Sequence, residues 1–273
     1  MEKQLCLRIT PVMLSVVLLA SGCKKATDYL KDNPTSAYCP CQIRQFNYAG
    51  SSTLGTQNGT KDTVRFTYNA AGDPVTGIRA HPGTGYPNWY FRYDKQGRFT
   101  DLIGTYNRVE TGAVESWVRW FYDGQGRIVK DSLYTYPAVV NDRPAFDPKY
   151  TAVEISLFEY DVKNRVSKES FETGGFIIVT NYTYDAHGNL IGPSSKRVYD
   201  DKINYHRTNK IWMFIDKDYS VNNPVTAAYD YNAFGLPISI VPFSGTVQSF
   251  LSVAHTAYEF EKATIVYDCQ GAL

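Results

Sequence analysis

Tyr93-Asp94-Lys95-Gln96-Gly97-Arg98 returns almost letter for letter as Tyr122-Asp123-Gly124-Gln125-Gly126-Arg127, and the role given to its aspartate decides the fold. An acid beside a glycine can be a catalytic or metal-binding group, or the corner of a turn. The rest of the chain favours the turn. Four further segments share the pattern: Tyr68 to Gly72, Tyr160 to Asn164, Tyr184 to Gly188 and Tyr231 to Gly235. Asp or Asn at the first corner of a type I turn accepts bonds from amides two residues on. Gly, or Asn164 in one copy, takes the left-handed conformation that closes a hairpin with a bulge.

Upstream of each turn the residues alternate, as in Val64, Phe66 and Tyr68, or Val118, Trp120 and Tyr122. Further runs of this kind are Phe158 with Tyr160, and Ile178, Tyr182 and Tyr184. A period of two over such a span is a strand with one buried face. Two places past each Gly or Asn, the outgoing strand opens on Phe99, Ile128, Val166, Leu190, Pro74 or Pro237. The fold class is therefore all-β: consecutive antiparallel hairpins forming a long curved meander sheet of about a dozen strands. Open sheets rarely exceed about ten strands without curling or splitting, so an open shell, a barrel and a sandwich all remain compatible.

Composition agrees. The 273 residues include 22 Tyr, 14 Phe and 4 Trp but only 3 Met, a mixture suited to pleated strands. With 28 basic and 27 acidic residues the chain has no field to attract nucleic acid.

The N-terminus reads as an export signal. Lys3 and Arg8 precede an apolar run at 9–20, too short to span a bilayer, and Ala20-Ser21-Gly22-Cys23 follows. That tetrad resembles the lipobox of bacterial lipoproteins, with Leu19 one place further out than the usual leucine. The resemblance implies a signal peptide at 1–22, cleavage before Cys23 and lipidation of Cys23, which would anchor the chain in a membrane. Residues 23–38 are polar, contain Pro34 and have no sustained period, so they read as a tether. Residues 39–273 read as a single domain.

The Tyr-Asp-x-x-Gly-Arg unit resembles the YD repeat of Rhs-type proteins. The C-terminal third is similar to a group of Bacteroidota lipoproteins. The residues that carry this likeness are Tyr199-Asp200-Asp201-Lys202 with Asn204, Asn222-Asn223-Pro224-Val225, Tyr229 to Pro237, and Tyr267-Asp268-Cys269. That group usually has proline after Asn204, where Tyr205 stands here. The resemblance implies an extended antiparallel sheet and a cell-envelope location on the outer membrane. It implies no activity.

Cysteine usage fits an oxidising compartment. With Cys23 lipidated, Cys39, Cys41 and Cys269 remain. One pair is expected: Cys41 opens the first strand and Cys269 closes the last, so a bridge would join them. The alternative is three free thiols. A zinc site would need four ligands, and Cys39-Pro40-Cys41 has too few companions.

No nucleophile elbow, zinc-protease motif, phosphate loop or dinucleotide fingerprint occurs, so no residue is assigned a catalytic, cofactor or metal role. Asp200, Asp201, Asp216 and Asp218 flank the apolar run Ile211–Ile215, and would offer hard oxygen ligands to an ion if two strand ends met there. The competing reading is a solvated, turn-forming cluster. Trp117 stands out of phase with Val118, Trp120 and Tyr122, so its ring belongs on the opposite face. With Tyr90, Phe121 and Tyr229 it is a candidate platform for a glycan; the alternative is that this face too is covered. Asp62-Thr63-Val64 and Asp131-Ser132-Leu133 resemble a Bacteroidota O-glycosylation signal, which makes Thr63 and Ser132 candidate acceptors.

The functional expectation is a lipid-anchored envelope or surface protein with a non-enzymatic binding or scaffold role, its partner a glycan or an envelope protein. The alternative is a polysaccharide hydrolase using paired carboxylates.

Overall fold

The computed structural model describes residues 19–38, 40–49, 61–107, 113–191, 197–243, 250–252 and 260–269; side chains are described from Lys25 onward. Helix α1 (Leu19–Asp32) precedes β1 (Cys41–Ala49), β2 (Lys61–Tyr68), β3 (Pro74–Arg79), β4 (Asn88–Tyr93), β5 (Phe99–Thr105), β6 (Val114–Tyr122) and β7 (Ile128–Thr135). A ribbon of β8 (Ala138–Val140) and β9 (Arg143–Ala145) comes before β10 (Ala152–Tyr160), β11 (Val166–Thr173) and β12 (Phe176–Asn181). A second ribbon, β13 (Thr183–Tyr184) with β14 (Leu190–Ile191), leads to a 3-10 turn at Tyr205–Thr208 and to α2 (Lys210–Asp216). The chain ends its described course through β15 (Ala227–Tyr231), β16 (Pro237–Pro242) and β17 (Lys262–Cys269).

Thirteen of these strands form one sheet in the order β12-β11-β10-β7-β6-β5-β4-β3-β2-β1-β17-β16-β15. Every neighbouring pair is antiparallel. The all-β meander read from the repeats is the observed fold, and the sheet does not close into a barrel. Its register joins the two ends of the domain: β1 pairs with β17, and Cys41, opposite Cys269, is disulfide-bonded to it across a sequence separation of 228.

One sheet face carries the main core. Ile43, Phe46, Val64, Phe66, Trp89, Phe91, Phe99, Leu102, Val118 and Trp120 point to it, and the 205–219 segment packs on them. Trp212 of α2 lies edge-on to Phe66 and Phe91 at 5.1 and 5.6 Å, and Phe214 meets Trp120 and Phe158 at 6.2 and 5.5 Å. The run Ile211–Ile215 is thus a buried helix and not a strand. All five of its residues are buried, so the apolar run has no period from which helix and strand could be told apart. The local signals are Asn209, whose side chain accepts from Ile211 N–H at 2.8 Å, and Lys217, which ends the helix at φ 50°.

The segment expected as a free tether is part of the fold. Leu30 of α1 is 1% exposed and packs with Cys41, Ile203, Val221 and Leu236. The fully buried Arg207 donates to the carbonyls of Leu30 and Asn33 at 3.2 Å each, to that of Pro34, and to Tyr219 at 3.3 Å. A guanidinium suits the carbonyl-rich end of a helix, and it holds α1 against the domain.

Candidate functional site

The repeated aspartates are turn formers. Asp94 Oδ1 accepts from the amides of Gln96 and Arg98 at 2.9 Å each, and its own N–H and C=O bond Arg98 and Gly97. Asn69, Asp123, Asp161, Asp185 and Asn232 repeat this set. Gly97 and Gly126 stand at φ 76° and 78°, and Asn164 takes the same region at 59°. Amide bonds from Arg127, and after them its side chain, hold the Asp123 carboxyl below the usual carboxylate range.

The flanking residues of the unit lock neighbouring hairpins together. Arg98, Arg127 and Arg165 each pair with the aspartate of their own turn and lie over the tyrosine of the next, Tyr122, Tyr160 and Tyr184, at 4.8, 5.2 and 3.8 Å. Several tyrosine hydroxyls reach back, Tyr93 to the Pro74 carbonyl, Tyr122 to Phe99, Tyr160 to Ile128 and Tyr267 to Pro237, at 2.6–2.9 Å, whereas Tyr184 donates to the Lys217 carbonyl at 3.2 Å. Strand alternation explained why a tyrosine could stand there. The hydroxyl bond across hairpins was not visible in it.

Other candidates are dispersed. Trp117 does lie on the face opposite Val118 and Trp120, but at 1% exposure, packed with Ile103 and Val114, its indole N–H on Asp101 and Arg92 over its ring. It offers no ring to a sugar, because the second face is covered here. Tyr90 packs beside it and donates to Asn107, Phe121 is exposed beneath the Lys130 ammonium, and half-buried Tyr229 bonds Pro224. Ser132 is buried at 6% in the folded domain. Thr63 is half-buried and donates to Asn47. Cys23 lies in the part of α1 without described side chains, and Cys39 lies outside the described residues.

The four clustered aspartates separate into two sets with different partners. Asp200 accepts from Lys202 and Asn223 amides and from the Tyr231 hydroxyl, and Asp201 pairs with Lys202. Asp216 accepts from His206 Nε2 at 2.8 Å and from the Leu251 and Ser252 amides, while Asp218 accepts from Asn204 and Ser220. Among the described residues no group of three acidic, histidine or cysteine side chains is placed to hold a metal ion. His206 is buried, which works against its charge, yet the hydrogen bond to Asp216 and the charges of Asp216 and Asp218 raise its pKa. The group is internally satisfied and reads as structural.

Sequence reasoning met Asp131 only as the first residue of the Asp131-Ser132-Leu133 match and gave its carboxyl no role. It faces the core on β7, its carboxyl accepts from the Ser156 amide at 3.1 Å, and burial, opposed by the Lys217 charge, pushes its pKa up to about 6. Lys217 pairs with Glu169 at 3.5 Å, and Tyr182 donates to Glu169 at 2.9 Å. Nothing in the repeat marks this acid, since its neighbours come from strands and a helix end distant in sequence. A separate open groove of about 670 Å³ runs between α1 and the 185–202 region, lined by both signs of charge, including Asp28, Lys31, Asp185, Arg197 and Lys202.

Four consecutive exposed apolar residues lie at one sheet edge. Phe176, Ile177, Ile178 and Val179 of β12 are 74, 68, 54 and 50% exposed, so the strand has no buried face, contrary to the alternation read through Ile178. The core segment covers the middle of the sheet and does not reach this strand.

No protein-family model matches the chain, and no curated protein is significantly similar to it in sequence. Among solved structures, a porin-like protein from Bacteroides uniformis is similar at 10% identity and a TM-score of 0.31, over 84% of this chain and 98% of that one. The structure titled TcdB2-TccC3-TEV is similar at 12% identity and a TM-score of 0.23, over 70% of this chain and 11% of that one. At such values neither is evidence of shared activity.

Proposed function

We propose that the protein is an exported lipoprotein of the outer membrane, anchored through Cys23, whose YD-type repeat sheet serves a non-enzymatic binding or scaffold role toward another envelope protein. The observation that carries this reading is the commitment of the repeated acids. The six Asp or Asn corners are occupied by their own turn amides, and the sheet's core face is filled by the 205–219 segment, while apolar strand surface stays open at β12. A protein partner is favoured over a glycan because Trp117, the leading sugar platform, is covered.

The anchor reading acquires a geometry from α1, which runs from Leu19 through Cys23 to the buried Leu30. Seven helical residues span about 10 Å, so a lipidated Cys23 would hold the domain close to the bilayer and not on a long leash. The test is lipid labelling and membrane fractionation of the full chain beside Cys23→Ser. The labelled wild type should sediment with membranes and the variant should lose its label. A processed, unlabelled wild type, or membrane retention unchanged in the variant, would end the lipoprotein reading.

The hydrolase alternative has one observation in its favour, the raised pKa of Asp131 near Glu169. Glycan turnover by the wild type that is lost in Asp131→Asn with folding intact would establish it in place of the scaffold.

A further inference from the structure

The β12 edge has the properties of a strand built to be paired. It carries no ionisable residue and no proline, and it runs against β11 in unbroken register from Thr173↔Phe176 to Lys168↔Asn181 after the Gly174-Gly175 turn. Natural sheets blunt free edges with charges, bulges or short strands. The opposite edge, β15, follows that rule: it has five residues, includes Asp230 and breaks register between Asp230 and Tyr231. β12 follows none of it.

The outward backbone groups can be assigned. The same register continues to Tyr182, whose N–H donates to the Ser167 carbonyl at 2.8 Å. Even-numbered residues therefore turn their backbone groups toward β11, and Ile177, Val179 and Asn181 turn theirs outward. An antiparallel copy of the same strand satisfies those groups when Ile178 lies opposite its counterpart. Ile177 then exchanges both backbone bonds with Val179 of the copy, and Val179 with Ile177. Ile177, Ile178 and Val179 then face apolar side chains of the copy, and Phe176 lies opposite Thr180. No like charges oppose each other, since the strand has none. The four side chains expose roughly 400 Å² per copy, the size at which an apolar patch on a monomer marks an interaction site. Edge-to-edge pairing leaves both sheet faces open, so the contact rests on the backbone ladder and on the cross-strand side-chain pairs and not on a large buried area.

We propose that β12 is a self-association edge, where two copies of this chain join their sheets antiparallel about a two-fold axis at Ile178. This is independent of the anchor, but it uses the β12 surface that the partner reading also draws on and assigns it to a second copy of the chain. The test uses the full chain in detergent and in cell envelopes, in a Cys39→Ser background. Ile178→Cys places two thiols opposite each other in a non-hydrogen-bonded pair, so it should yield a reducible dimer. Ile177→Cys, whose counterpart is Val179, should yield at least tenfold less. Ile177→Lys with Val179→Lys should convert the dimer mass measured by light scattering to the monomer mass with an unchanged melting profile, because both sites are exposed. A wild type that is monomeric at tens of micromolar would overturn the proposal, as would equal crosslinking from both positions. A crosslinked product carrying a different protein at Ile178→Cys would overturn it in favour of a heterologous strand partner.

Discussion

At the scale of single residues, the glycine of each turn matters more than the acid. Gly97 holds φ 76° with open space around a notional Cβ, so a side chain there meets no neighbour and only the backbone is strained. Gly97→Val should cost about 1–3 kcal/mol in a thermal or denaturant melt. Asp94→Asn should cost less than about 1 kcal/mol: the amide oxygen keeps the turn bonds, as Asn69 and Asn232 already do, and only an exposed pair with Arg98 is lost. Asp131 is the reverse case, an acid whose burial is unfavourable. Its folded pKa of about 6 lies above the ordinary 3.8, so between those values the native state holds the extra proton. Stability from this group is therefore complete below about pH 4 and is lost as pH rises to 6. Asp131→Asn removes that slope, and should raise the unfolding free energy more at pH 7.5 than at pH 4, by at most about 3 kcal/mol. A variant equally affected at both pH values would contradict this account.

At the scale of elements, the N-terminal helix is held by one buried cation. Arg207 has its pKa lowered to about 10 by burial, and it faces four carbonyls where a carboxylate might have been expected. Arg207→Met leaves those acceptors without their donor, and should destabilise the domain by about 3 kcal/mol or more. It should also open the α1–β1 connection to limited proteolysis. Lys25→Ala, at an exposed site on the same helix, should do neither. Proteolysis no faster than in the wild type would show that Leu30 packing alone retains α1.

At the scale of the whole molecule, the disulfide joins the first and last strands of the sheet. Closing a loop of 228 residues removes chain entropy from the unfolded state corresponding to about 5 kcal/mol as an upper bound. Cys41→Ser should therefore lower the denaturant midpoint substantially while the β1–β17 ladder still forms, since seven further residue pairs join β1 to β17 and five join β1 to β2. A midpoint unchanged by the substitution would show that the unfolded chain is already compact.

The sequence by itself determined the turns, the meander and the facing of the strands before each turn. These are local: an Asp, its own amides and a left-handed glycine three residues on make a hairpin whatever lies elsewhere, and a period of two assigns the buried side. The Cys41–Cys269 bridge was also legible, because the two cysteines sit at the outer ends of the first and last strands. Only the tertiary structure decided the rest. Ile211–Ile215 is buried on all sides and so has no period. Arg207 finds three of its four carbonyls more than 170 residues away in the chain. Trp117 was placed on its face correctly but covered by neighbours that alternation cannot count, and Phe176–Val179 lies bare because the core segment ends short of it. Which side a residue faces follows from its own strand; what covers that side follows from the length and path of other segments.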